Sequence, residues 1–90
     1  MGSLSELPNV GRVLENHLLR IGVLQPEQLR EMGAERVFLL IRDQIDPEAC
    51  LHMLYGIQGA IEGIPDKSLP PATKERLRAF HKSLPMNKPK

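Results

Sequence analysis

Ninety residues with 41% apolar side chains, 26% charged residues and a formal net charge of +1 describe one small globular domain and exclude a second independent core. With one Tyr, two Phe and no Trp the core has to be aliphatic, and ordinary per-residue values put its stability at about 5–13 kcal/mol. The longest apolar run, Val37 to Ile41, is far short of the ~20 residues that cross a bilayer, and the single Cys50 excludes an internal disulfide, so a cytoplasmic protein is expected.

Residues 1 to 6 show no periodicity and read as a flexible lead, with the domain running from Leu7 to Leu84. The N-terminus lacks a secretory pattern, and Glu6 stands where a myristoylation signal wants Ser or Thr. Val10, Val13, Leu14, Leu18 and Ile21 are spaced as the inner face of a first helix that Gly22 ends. Pro26 opens a second helix that runs to Met32 and stops at Gly33. Residues 34–42 fit a buried strand or a buried helix by periodicity alone. Helix is favoured because no second β-branched run exists to pair with them.

Asp46-Pro47-Glu48 reads as the clearest helix start, with Asp46 as N-cap and Ile45 and Cys50 as a hydrophobic staple. That helix carries Cys50, Leu51, Leu54, Ile57 and Ile61 inward and closes at Gly63, while Gly56, Gly59 and Ala60 admit a neighbouring helix at close range. Pro70-Pro71 opens a fifth helix with Thr73, Leu77, Phe80 and Leu84 on one stripe. Pro85 ends it, and residues 85–90 form a flexible basic tail. The expected fold class is all-α, a compact five-helix domain.

The near-neutral total conceals two opposed blocks. Residues 1–66 carry a net charge of −5 and residues 67–90 one of +6, the latter mostly on the last helix. Clustered cations suit an acidic protein or a nucleic acid, whose bound counterions they release. Two glycine turns, Leu7-Pro8-Asn9-Val10-Gly11 and Leu29-Arg30-Glu31-Met32-Gly33, each lead into a helix whose open N–H groups can face a phosphate. Both resemble the Leu-x-x-Val/Ile-Gly hairpin of helix-hairpin-helix modules, but the hairpin's usual earlier glycine is Asn9 in one and Glu31 in the other. Candidate nucleic-acid or partner contacts are therefore Gly11, Arg12, Lys74, Arg76, Arg78 and Lys82, with Leu24 and Met86 as apolar additions.

No catalytic constellation stands out, and an enzyme is not expected. Cys50-x-His52 is the only pair suggestive of a metal, and residues two apart on a helix point about 200° away from each other. Neither metal nor cofactor is expected.

Four segments in order carry a family resemblance: Leu7-Pro8-Asn9-Val10-Gly11, then Leu18-Leu19-Arg20-Ile21-Gly22-Val23, then Gln25 to Ala34, then Leu51 to Gly63 with Leu69-Pro70. The chain resembles the C-terminal domain of the TfoX/Sxy competence-regulator family over about residues 7–84. The family's separate N-terminal domain has no counterpart in these residues, which read as a stand-alone copy or a fragment. Asp66-Lys67-Ser68 replaces the aromatic residue that usually precedes Leu69-Pro70, and Cys50 replaces a polar lead residue. The resemblance implies a helix-hairpin-helix/SAM-like fold and a regulatory role in DNA uptake, exercised alongside another transcription factor. The function expected is a non-enzymatic regulatory module acting through protein contacts with transcription machinery or a regulator. The alternative is direct, non-sequence-specific DNA binding through the first hairpin and the basic last helix. No membrane contact is expected, and the oligomeric state stays open.

Overall fold

The computed structural model describes residues 4–84. Five α-helices follow one another: α1 (Arg12–Arg20), α2 (Pro26–Met32), α3 (Ala34–Gln44), α4 (Leu51–Glu62) and α5 (Pro71–Ser83), with 3₁₀ turns at Leu4–Glu6 and Asp66–Ser68. This is the expected all-α, five-helix class, and the ambiguous run is helical: Val37, Phe38 and Ile41 are fully buried while Leu39 is exposed. The expected basic tail and Met86 lie outside the described residues.

α3 and α4 form the centre. α1 packs on α3 and the first 3₁₀ turn, α2 bridges α3 and α4, and α5 and the second 3₁₀ turn cover α4. The core is aliphatic apart from Phe38, whose ring lies 5.7 Å from that of His81 in a tilted arrangement.

Turn chemistry fixes most of the helix ends. Gly22 takes φ +93°, and beside it Val23 N–H donates to Leu18 O at 2.9 Å and Gly22 N–H to Leu19 O at 3.1 Å, a Schellman closure that buries Val23 beside Leu18. Gly63 closes α4 in the same way, with Ile64 N–H donating to Gly59 O at 2.9 Å. At the start of α2, the Gln28 side-chain oxygen accepts from the N–H groups of Leu24 and Gln25 at 2.7 and 3.0 Å.

Five expectations are corrected. Asp46 does not cap α4: its side chain accepts from Glu48 N–H at 3.0 Å and its carbonyl from Ala49 N–H at 3.0 Å, making a self-contained turn. The chain then extends through Cys50, which becomes the N-cap, so α4 starts at Leu51 and the thiol is exposed instead of packed. Ala49 takes the buried position in its place. Val13, spaced as if for the core, is 67% exposed, because it lies roughly 100–140° round the helix from Leu14 and Leu18, which fill the inward arc. Leu4, assigned to the flexible lead, is buried in the core at 2% exposure. Finally, the two glycines of α4 admit the Asn9 side chain, not a helix: a Cβ on Gly59 would meet Asn9 Nδ2 at 2.5 Å and Ile64 O at 2.7 Å, and one on Gly56 would touch Asn9 Cβ at 3.6 Å.

Candidate functional site

The first glycine turn is built around Asn9. This residue holds φ +69°, the only non-glycine in the left-handed region among the described residues, at the position where a helix-hairpin-helix turn usually has its earlier glycine. Asparagine tolerates that conformation and brings a side chain glycine lacks. Its Nδ2 donates to Gly56 O at 3.3 Å and to Ile64 O at 3.0 Å, while Oδ1 accepts from Asp66 N–H at 3.1 Å. One side chain thus ties the turn before α1 to the body of α4 and to the segment that follows it. In the sequence Asn9 is a departure from the hairpin; its role is set by partners 47 to 57 residues away.

Gly11 is the N-cap of α1 at φ −88°, with no side chain capping the helix and open space where a Cβ would stand. Its use is access to the backbone, since this φ suits any residue. Gly11, Arg12, Val13 and Leu14 border a cavity of about 470 Å³ completed by Asn9, His52, Met53, Gly56 and Asp66. Asp66 Oδ2 lies 3.4 Å from His52 Nε2, so the cavity that offers open N–H groups also presents a carboxylate.

The remaining candidates fall elsewhere. Arg76 turns toward α3, where its Nε is 3.8 Å from Glu35 Oε2, beside the second glycine turn. There Gly33 ends α2 and starts α3 at φ +84°. The pair is exposed on both sides and contributes about 0–1 kcal/mol. Lys74 and Arg78 line a shallow depression with Leu69 and Pro71, and Lys82 continues the same i, i+4, i+8 row. Lys74 Nζ donates to Lys67 O at 3.4 Å; Arg78 and Lys82 have no carboxylate partner among the described residues. The six candidates therefore occupy three places: Gly11 and Arg12, Arg76, and the Lys74–Arg78–Lys82 row.

α1 carries an exposed apolar surface that includes Val13, a residue whose spacing predicts the interior. Val13 is 67% and Leu19 43% exposed, and Leu24, just past the helix, is 60% exposed. Val13, Asn16, His17, Leu19 and Arg20 border a depression of about 420 Å³. No group of three or more His, Cys, Asp or Glu among the described residues could hold a metal ion. Nor is any described helix long and apolar enough to cross a membrane.

Residues 1–81 match the family described as the TfoX C-terminal domain. Protein Sxy of Escherichia coli (strain K12) is 33% identical over 81 residues, which cover 90% of this chain and 38% of Sxy. The chain therefore spans under two fifths of the length of this curated relative. Two crystal structures from Listeria monocytogenes are also similar: an uncharacterized protein in a triclinic form, 40% identical with TM-score 0.88, and a protein of unknown function in a tetragonal form, 41% identical with TM-score 0.87. Each similarity covers 91% of this chain, and 92% and 99% of the respective relatives.

Proposed function

Because this chain belongs to the TfoX C-terminal domain family, we propose that it is a non-enzymatic regulatory domain of the competence-regulator kind, acting through contacts with a protein of the transcription machinery or another regulator. The observation that carries this reading is the exposed aliphatic surface of α1 and the turn after it. Val13, Leu19 and Leu24 stand in water while a complete aliphatic core lies beneath them. Val13 and Leu19 border one depression on α1, and exposed aliphatic side chains around such a depression offer a contact surface for another protein. The test is crosslinking of the protein in its own cells, with and without nuclease. Crosslinks to a transcription protein that survive nuclease support the reading. Products that vanish with nuclease, or adducts to DNA alone, overturn it.

Direct DNA binding is the second reading, favoured by the Lys74–Arg78–Lys82 row without carboxylate partners and by the open backbone at Gly11. It predicts a measurable salt law. If Arg12 and the three row cations each neutralise a phosphate, the logarithm of the binding constant falls with the logarithm of salt with a slope of roughly −3 to −4. Arg76→Ala leaves that slope unchanged, because Arg76 lies toward Glu35, whereas Arg78→Ala reduces it by about one. Fluorescence anisotropy with duplex DNA at several salt concentrations measures both. A salt-independent affinity rules this reading out.

A further inference from the structure

The outer face of α1 has a pattern that specifies what it binds. At 100° per residue, Arg12 and Leu19 share one edge of the helix, Val13 and Arg20 share the other, and Asn16 lies between them. Each end of the face thus pairs one cation with one aliphatic side chain. All five residues are exposed, and neither guanidinium has a hydrogen-bond or ion-pair partner among the described residues. Leu24, 60% exposed, follows the helix on a turn held by the Gln28 side chain. Glu15, half-buried at the border, is the only carboxylate that α1 carries, and Asp66, which shares a cavity with Arg12, is occupied by His52 at 3.4 Å.

We infer that this face docks an acidic amphipathic helix of the partner protein, with aliphatic side chains on Val13, Leu19 and Leu24 and carboxylates on Arg12 and Arg20. This deepens the protein-contact reading and rests on it. Charge complementarity selects the occupant. A second copy using the same face would gather four guanidinium groups against two Glu15 carboxylates, whereas an acidic helix satisfies both arginines as their hydration is lost. Spacing adds a second constraint. Along α1 the two arginines are about 12 Å apart and Val13 and Leu19 about 9 Å apart. A partner helix meets both with carboxylates about eight residues apart and aliphatic anchors about six or seven apart on the same side.

Two measurements test this. In the first, ¹⁵N-labelled protein is titrated with a synthetic helical peptide carrying leucines along one face and a glutamate at either end of that face, and with the same peptide bearing lysines instead. The expected result is amide shifts concentrated at Arg12, Val13, Asn16, Leu19, Arg20 and Leu24, and at least tenfold weaker binding of the lysine peptide. Absence of shifts, shifts confined to α5, equal binding of the lysine peptide, or α1 shifts that grow with protein concentration before peptide is added would each overturn the inference. In the second, the Val13→Glu/Leu24→Glu variant is taken through the crosslinking experiment; both sites are exposed, so the fold is expected to persist, checked by its thermal transition. Loss of the protein crosslink supports this face. A crosslink that survives in the folded variant overturns the face while the protein-contact reading stands, and the absence of protein crosslinks in the parent chain overturns that reading itself.

Discussion

Asn9→Ala is expected to lower stability by about 2 kcal/mol and the midpoint of thermal unfolding by on the order of 10 °C. Two effects add. The substitution removes three hydrogen bonds, at 3.3, 3.0 and 3.1 Å, each contributing roughly 0.5–1.5 kcal/mol at most, with the lower part of that range appropriate to an exposed residue. It also places an alanine at φ +69°, a conformation that costs an ordinary L-residue about 1 kcal/mol. Asn9→Gly separates the two, because glycine accepts the backbone and loses only the bonds; it is expected to recover about 1 kcal/mol of the loss.

Gly59→Ala tests the same clamp from the other side. In an open helix this change stabilises by about 1 kcal/mol. Here the new methyl would meet Asn9 Nδ2 at 2.5 Å and the Ile64 carbonyl at 2.7 Å, so the sign reverses to a net loss of about 1–2 kcal/mol. The two substitutions are coupled. With Asn9 already alanine, one of the two clashes is gone, and the double variant is expected to be more stable than the sum of the singles by about 0.5–1 kcal/mol. Urea unfolding of the four proteins measures the cycle, and additive losses would mean that Asn9 and α4 do not depend on each other.

The sequence disclosed those features whose cause is local. Pro26, Gly33, Gly63 and Pro71 act on the backbone within a residue or two of themselves, and the starts and ends read from them agree with the structure. Asp46-Pro47-Glu48 misled because the same residues that cap a helix also close an Asx turn, and the turn won where Ala49, not Cys50, had to reach the core. Val13 misled because periodicity reports a stripe without saying how far round the helix the neighbours extend; Leu14 and Leu18 satisfy them, and Val13 is left outside.

The candidate site was less legible, for the same reason carried further. Gly11, Arg12, Arg76 and the Lys74–Arg78–Lys82 row were all visible as residues, yet their division among three places depends on which way α5 faces α3. In the sequence Asn9 looks like a missing glycine, since nothing near it in the chain shows that its amide reaches Gly56, Ile64 and Asp66. On the exposed face of α1 it is Val13 that the sequence conceals: a binding surface and a core stripe carry the same residue types, and only burial tells them apart.

Leu4→Ala is expected to cost about 2–4 kcal/mol, a large share of the roughly 5–13 kcal/mol available to a chain of this length. A residue in a flexible lead would change stability by less than about 0.5 kcal/mol, so the magnitude decides where the domain begins. Leu4 is 2% exposed, on a turn packed against α1, and its position is passed forward along the chain. Leu7 N–H donates to Leu4 O at 3.1 Å and Val10 N–H to Leu7 O at 3.3 Å, which delivers the backbone to Gly11 and the first turn of α1. Emptying the Leu4 pocket therefore loosens the anchor of that approach as well as the core. The expected signature is a lowered urea midpoint with an unchanged slope, accompanied by faster amide exchange at Val10 and at the first hydrogen-bonded turn of α1 than in α3 and α4. Uniform acceleration across all helices would instead mean that Leu4 stabilises the core without steering the turn, and that Asn9 alone holds Gly11 and Arg12 at the cavity.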